Sequence, residues 1–428
     1  ASNAVTGLSS IGTNDVINVA VDIDAGKLWF GRNGTWESSG NPASGTNATV
    51  SFTPGGKSFY AVAQGYGTWS GVFNAGARSF AYTAPSGFKA LCDTNLGAPV
   101  VAKPNTLFDT KIYTGNGGTQ TISGLAFSPD FVWVKNRSNA LSHRWTDVLR
   151  GVEQEIGSDY TGAEYYQPGG LSSFNADGFT VGSNSGSNAS GNTYVAWTWD
   201  AGTSTDPSNT AGSITSQVRA NVSAGFSIVT WTADAGIYTV GHGLGVKPAM
   251  IIHKCRSNAE TWLVRHVSIG DSGVLVLNTT AAAGTIAFGG TNTSTVFYNQ
   301  NAVTTTSGRT MVAYCFAPVV GYSAMGKWSG GSDAFVYLGF RPKWLLIKAN
   351  TAGYDWLLFD STRSSYNLVD DWLFPNLSDA EVQNNTVNNL DFLSNGFKIK
   401  GTGGYLGAAV DMLYVAFAES PFQYARAR

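Results

Sequence analysis

The feature that most constrains this chain is a block written three times. Each copy is a glycine-hydrophobic turn, a proline, an apolar strand and a stopping lysine. The first copy is Gly124-Leu125-Ala126-Phe127-Ser128-Pro129, then Asp130-Phe131-Val132-Trp133-Val134-Lys135. The second is Gly243-Leu244-Gly245-Val246-Lys247-Pro248, then Ala249-Met250-Ile251-Ile252-His253-Lys254. The third keeps Gly339-Phe340-Arg341-Pro342, then Lys343-Trp344-Leu345-Leu346-Ile347-Lys348. A tryptophan follows each lysine (Trp145, Trp262, Trp356), and each unit closes on Val-Ala-aromatic: Val195-Ala196-Trp197, Val312-Ala313-Tyr314 and Val415-Ala416-Phe417. A period near one hundred residues is that of a domain, not of a solenoid rung of ~20–50 residues. A repeated sheet module points to a scaffold or binder before a single-site enzyme.

Composition agrees with strands. Charged residues are 13% of the chain, against an average of about 25%. Gly, Ser, Thr and Asn fill the gaps between short apolar runs, the turn chemistry of sandwiches and barrels. The predicted fold is all-β: several β-sandwich domains in tandem, the last three being internal repeats, with very little helix. The best helix start is the capping-box pattern Ser378-Asp379-Ala380-Glu381. The expected divisions are 1–97, a first sandwich, then repeat units at 105–202, 217–320 and 321–428. Asp200 to Ser216 reads as a linker. Ala317 to Tyr322 is so short that units two and three are expected to pack as a rigid pair.

A net charge of −2 without a basic run argues against nucleic acid. No stretch of ~18 apolar residues predicts a membrane span. Cys92, Cys255 and Cys315 make no disulfide framework, and Cys315, alternating with Ala313 and Ala317, reads as a buried packing residue. The four histidines carry no metal-site spacing, and neither a metal nor a cofactor is expected.

Paired carboxylates could hydrolyse glycans. Asp370 and Asp371, adjacent in an extended chain, would point apart. Asp22 and Asp24 flank a hairpin, where Asp serves the turn. Glu153 and Glu155 fall in a loop-like stretch and are expected to be solvated. Gly182-Ser183-Asn184-Ser185-Gly186 has Asn where a nucleophile would stand. No catalytic residue is assigned. Lys135, Lys254 and Lys348 read as strand-edge stops that snorkel past a core.

Aromatic side chains in Gly/Ser-rich loops can stack on sugar rings. The loops around Trp36, around Tyr66 and Trp69, and around Tyr165 and Tyr166 supply the candidate ligand-binding residues.

Two resemblances bear on these patterns. Asp15-Val16-Ile17-Asn18-Val19-Ala20-Val21-Asp22, the Asn33-Gly34 turn, Phe59-Tyr60-Ala61-Val62, Val72-Phe73-Asn74-Ala75-Gly76 and Pro85-Ser86-Gly87-Phe88 resemble the SPRY family over about residues 13 to 90. That implies a concanavalin-like two-sheet sandwich. The strands that precede the first motif in that family have almost no room in residues 1–12. Either the domain is shortened or upstream residues of a longer polypeptide complete it, and the second is favoured. Residues upstream or a neighbouring subunit are then expected to cover the apolar face of Ile17 to Ile23.

The repeats, with Tyr113-Thr114-Gly115, Phe131-Val132-Trp133-Val134-Lys135-Asn136-Arg137-Ser138, Asp177-Gly178-Phe179 and Tyr194-Val195-Ala196-Trp197, resemble repeat domains in structural proteins of marine tailed phages. The resemblance implies a non-enzymatic virion protein, a tail-fibre or surface-appendage component that contributes to host glycan binding. Its expected partners are its own copies, as a trimer, other virion proteins and a host surface glycan. The alternatives are a polysaccharide-degrading tailspike-type enzyme and a bacterial surface adhesin.

Overall fold

A computed structural model describes residues 11–53, 70–92, 95, 99–300, 306–351 and 353–421. The chain divides into two compact units, residues 1–97 and 98–428.

In the first unit, β1 (Ile17–Asp22) and β2 (Lys27–Arg32) form an antiparallel hairpin, and β3 (Thr35–Trp36) and β4 (Val50–Ser51) both pair with β2. Asp22 accepts the Ala25 amide at 2.8 Å, the turn role expected of it. Alternation sends Ala20 into the small core with Trp29, while Ile17, Val19, Val21 and Ile23 are exposed on the other face.

The second unit holds the repeats. The first contributes β5 (Phe108–Thr114), β6 (Gln120–Ile122), β7 (Phe131–Asn136), β8 (Arg144–Asp147), β9 (Gln154–Glu155), β10 (Tyr165–Tyr166), β11 (Leu171–Asn175), β12 (Gly178–Val181) and β13 (Thr193–Trp199). The second contributes β14 (Thr205–Asn209), β15 (Ser216–Asn221), β16 (Phe226–Thr232), β17 (Tyr238–Gly241), β18 (Met250–Cys255), β19 (Leu263–His266), β20 (Gly273–Val276), β21 (Gly284–Thr285), β22 (Val296–Asn299) and β23 (Thr310–Phe316). The third contributes β24 (Ser323–Ser329), β25 (Phe335–Tyr337), β26 (Phe340–Ala349), β27 (Leu357–Asp360), β28 (Leu390–Leu393), β29 (Gly396–Ile399) and β30 (Asp411–Pro421).

Each repeat is a sandwich of a main antiparallel sheet and a smaller outer one. The main sheets run β5-β13-β7-β8, β16-β23-β18-β19 (within a longer sheet) and β24-β30-β26-β27. The outer ones are β11-β12-β6, β17-β22 and β25-β29-β28. The strand after each proline is central and covered on both faces, so its sequence is a nearly continuous apolar run. Val132 and Val134 face the outer sheet of repeat one. Phe131 and Trp133, alternating with them, join Met250, Ile252, Trp344 and Leu346 in one core common to all three repeats. That shared core leaves a void of only about 10 Å³, room for at most about one water.

The registers establish the equivalences. Phe131, Met250 and Trp344 lie opposite Trp199, Phe316 and Phe417, and Lys135, Lys254 and Lys348 lie opposite Val195, Val312 and Leu413. Pro129, Pro248 and Pro342 therefore stand at corresponding places, with a bulge at Pro342. The closing motif of repeat three is displaced: Ala416 pairs with Leu345, whereas Ala196 and Ala313 pair with Val134 and His253, two positions further along. Tyr414 holds the place of those alanines.

The lysines correct the sequence reading. They share the face of Phe131 and Trp133, and all three are buried. Each ammonium donates to a main-chain carbonyl of a neighbouring repeat: Lys254 to Thr161 at 3.0 Å, Lys348 to Thr280 at 3.5 Å and Lys135 to Ser378 at 3.1 Å. The contacts run two to one, three to two and one to three, so the repeats close into a ring. Burial pushes each ammonium down to about 8. A snorkelling lysine would reach water; these three hold the ring's seams.

Two seams carry a further ionic chain. Asp147 pairs with Arg150 at 2.5 Å and accepts the Tyr314 hydroxyl of repeat two at 2.7 Å. Arg150 continues to Glu164, which binds Arg256 of repeat two. Asp360 likewise pairs with Arg363 at 2.5 Å and accepts the Trp197 indole of repeat one at 3.0 Å. Arg363 continues to Glu381, which takes both Nε and Nη2 of Arg137. The seam between repeats two and three has His266, Ile269, Ala283 and Asn350 at the corresponding positions. There His266 donates from Nε2 to the Tyr414 carbonyl at 3.1 Å. The expected rigid pair, repeats two and three, is joined by the seam without the ionic chain.

Two other readings change. Ser378 to Glu381 is irregular rather than helical: the Ser378 carbonyl receives Lys135 and Glu381 is drawn into the seam. The linker Asp200–Ser216 contains β14, which pairs with β15 as the sheet's edge. Cys255 lies opposite Met311 and Cys315 opposite Ile251. Four residues of strand, roughly 13 Å, separate them, beyond the ~7 Å reach of a disulfide. Cys315 is buried among alanines, as its alternation predicts.

Candidate functional site

Among the described residues the group with most chemistry outside the seams lies in repeat one, where β9 pairs with β10. Tyr165 stands opposite Glu155 and Tyr166 opposite Gln154. Glu155, expected to be solvated, is only 1% exposed. Its Oε2 is paired with Nη1 of Arg144 at 3.4 Å and accepts from the Tyr165 hydroxyl at 3.3 Å, both long. The guanidinium carbon of Arg144 is 5.7 Å from the centre of the Tyr165 ring, and Arg144 Nε is buried without a partner. Burial pushes the Glu155 carboxyl up to about 7, against the pull of Arg144 and Arg150.

Glu153 serves a different place. It accepts the Tyr166 hydroxyl and the Gly169 amide, each at 2.8 Å. Tyr165 and Tyr166 are consecutive on a strand and project to opposite faces, so their two carboxylate partners are drawn apart. Retaining and inverting glycosidases need two carboxyls facing one bond, and this geometry does not gather them. Asp371 is occupied by the Asn384 amide at 3.0 Å. No group of three or more His, Cys, Asp or Glu side chains among the described residues could hold a metal.

Of the aromatic candidates, Tyr166 is 61% exposed and Tyr165 is half-buried. Trp36 is half-buried in β3, its ring close over Gly31, where an added Cβ would come within 3.0 Å. Tyr66 and Trp69 lie outside the described residues. Loop composition in the sequence names Tyr165 and Tyr166 as candidates but not Arg144 beside them, which a search for aromatic loops cannot detect.

No helix among the described residues is long and apolar enough to cross a membrane. Residues 103–421 match the domain of unknown function DUF7483. No curated protein and no solved structure matches the chain.

Proposed function

The chain belongs to that family, and we propose that it is a non-enzymatic structural protein of a virion: a tail-fibre or surface-appendage component of a tailed phage that contributes to host glycan binding. The observation that carries this reading is the closed ring. Three sandwiches share one aromatic core, and the buried lysines and the Asp147 and Asp360 ionic chains are engaged in the seams instead of lining a cleft. A building block that must survive outside a cell is served by such closure. The resemblance of the repeats to those of phage structural proteins supports the setting.

The exposed ring of Tyr166, with Tyr165, Trp36, Tyr66 and Trp69, supplies the glycan contacts. Association of copies into a trimer, docked on other virion proteins, multiplies weak contacts into avidity. Antibodies raised against the ring and viewed on purified particles test the reading: decoration of an appendage supports it, and bare particles overturn it.

One observation favours the tailspike-enzyme alternative, the buried Glu155 with its raised carboxyl pKa. Release of reducing ends from host envelope polysaccharide by the purified protein would establish that alternative; intact polysaccharide is expected.

A further inference from the structure

The three outer sheets compare residue by residue. Phe179, Phe297 and Phe397 are fully buried in them, and their cross-strand partners Ile122, Val240 and Val336 are buried too. A side chain added at Gly178 would strike the Ile122 carbonyl and Ser123, and one added at Gly396 would strike the Val336 carbonyl and Tyr337. Phe335 and Tyr337 on β25 therefore correspond to Thr121 and Ser123 in repeat one, and to Thr239 and Gly241 in repeat two. Repeats one and two place only hydroxyls or a bare glycine there. Repeat three alone places two aromatic rings, 48% and 63% exposed.

The strand that carries these rings is the edge of its sheet, which runs β25-β29-β28. Leu338 donates to the Asn395 carbonyl at 2.8 Å, and Ala334 accepts from Ile399 at 2.9 Å. Alternation turns the N–H and C=O of Phe335 and Tyr337 the other way, off the sheet. Among the described residues no other segment bonds to them. Repeat two shows what such an edge takes. There the Thr239 N–H donates to the Ser213 hydroxyl at 2.9 Å and the Thr239 carbonyl accepts from Ile214 at 3.3 Å, so a stretch of the chain ahead of β15 lies along β17. Repeat three has no such stretch to spare, since only residues 317–322 lead from β23 to β24. In repeat one the exposed hydroxyl of Thr121 suits an edge that faces water.

We propose that β25 pairs, edge to edge and antiparallel, with β25 of a second copy of this chain. The inference rests on the part of the reading above in which copies associate, and assigns a surface to one contact between them. A twofold axis through Val336 sets Phe335 opposite the partner's Tyr337 and Tyr337 opposite the partner's Phe335. Each such pair exchanges both main-chain hydrogen bonds, lays ring beside ring across the junction and joins the two outer sheets into one. The same strand serves both copies, as a twofold contact requires. Residues 334–338, Ala-Phe-Val-Tyr-Leu, carry no charge, and the flanking Lys398 and Asp333 are paired with each other at 3.2 Å, so the approach opposes no like charges. A sugar stacked on the rings would leave the main-chain donors and acceptors of the edge unmatched; a strand meets both. So short a strand makes a small, transient interface, below about 1,200 Å². The pairing is twofold, and is therefore a contact additional to the one that makes a trimer.

The test gives the edge the residues that repeat one carries. Sedimentation velocity over a concentration series compares the unaltered chain with the double variant Phe335→Thr with Tyr337→Ser, whose two positions are exposed. The expected result is a concentration-dependent doubling of mass, of the single chain or of a trimer, weakened about tenfold or more in the double variant by loss of the aromatic contact across the strands. Val336→Cys supplies a second measurement. It puts a thiol on the axis, where facing Cα atoms lie about 4.5 Å apart, within the reach of a disulfide. Mild oxidation should link copies of that variant in pairs and leave the unaltered chain unlinked. A mass that never doubles overturns the pairing. Doubling undiminished in the double variant, with no link formed by Val336→Cys, overturns this surface while leaving the association of copies intact. A trimer that dissolves to single chains in the double variant makes the edge a threefold contact and overturns the twofold one. A chain that stays single, yet binds another virion protein and loses it in the double variant, gives the edge to that protein and also overturns the proposal.

Discussion

His143 in the first repeat stands where Trp262 stands in the second. Each is opposite the repeat's lysine by register, and each ring N–H meets a main-chain carbonyl of the adjoining repeat: His143 Nε2 at 2.9 Å from Phe374, Trp262 Nε1 at 2.8 Å from Gly157. Trp356 completes the set at 3.1 Å from Val276. The Trp133 indole donates to His143 Nδ1 at 2.7 Å, so the Nε2–H tautomer is the one that satisfies both contacts.

That network sets a first prediction. Burial, with Lys135 nearby, holds the His143 pKa well below its usual 6.5, opposed by the Phe374 carbonyl. Nitrogen NMR should show a neutral imidazole protonated at Nε2 and unchanged as pH falls through that value. A titration near 6.5 would contradict the bonded arrangement.

The ionic seams predict unequal strength around the ring. Asp147→Ala leaves Arg150 buried without its closest partner, and Asp360→Ala does the same to Arg363. Each should cost about 3–5 kcal/mol, the scale for breaking a buried pair from one side. His266→Ala removes only neutral hydrogen bonds, the one to the Tyr414 carbonyl and the one from the Ser268 amide, and should cost about 1–3 kcal/mol. Chemical denaturation of the three variants compares them. Equal losses in all three would refute the inequality of the seams.

Edge protection gives a third. The edge strands β5 and β24 carry Lys111 and Lys327, which discourage pairing with foreign strands. The corresponding β16 is Phe-Ser-Ile-Val-Thr-Trp-Thr, without a charge, and is covered by β15 and then by β14, whose Asp206 and Pro207 finish the edge. Deleting 203–221 should leave a chain that folds but self-associates in light scattering, and a charge placed on β16 by Thr230→Lys should relieve it. A deletion variant that stays monodisperse would show that the hairpin is not a cover.

Glu155 yields a pH window. Its folded pKa, about 7, lies above the ordinary 4.5. A raised carboxyl favours folding when protonated, so its contribution is complete below about 4.5 and is lost as pH rises to about 7. The thermal midpoint of the unaltered chain relative to Glu155→Gln should fall across that interval. A flat difference would mean that the carboxyl is not desolvated in the folded chain.

Much of the ring was legible in the residues and its closure was not. The triple block, the central apolar strands and the small-residue face at Cys315 follow from alternation alone. The lysines could not be placed, because Lys135 on a strand end reads the same whether it meets water or the Ser378 carbonyl of a repeat more than two hundred residues away. Proximity to the lysine groups Trp145 with Trp262 and Trp356, whereas the register makes His143 their counterpart and aligns Trp145 with Val264 and Leu358. Seam partners such as Glu381 and Arg137 carry no local signal, since their spacing is set by the ring. Arg144 was invisible for the same reason: only the comparison with Leu263 and Leu357 shows a charge where the fold accepts leucine.

The most direct test of the central claim is a cryo-electron density map of purified phage particles that encode this chain, at a resolution that separates single sandwiches. The account predicts a ring of three sandwiches with a closed centre at a tail fibre or surface appendage, into which residues 103–421 fit without rearrangement. Complete particles that lack this density, with the chain absent from their protein content, would contradict it.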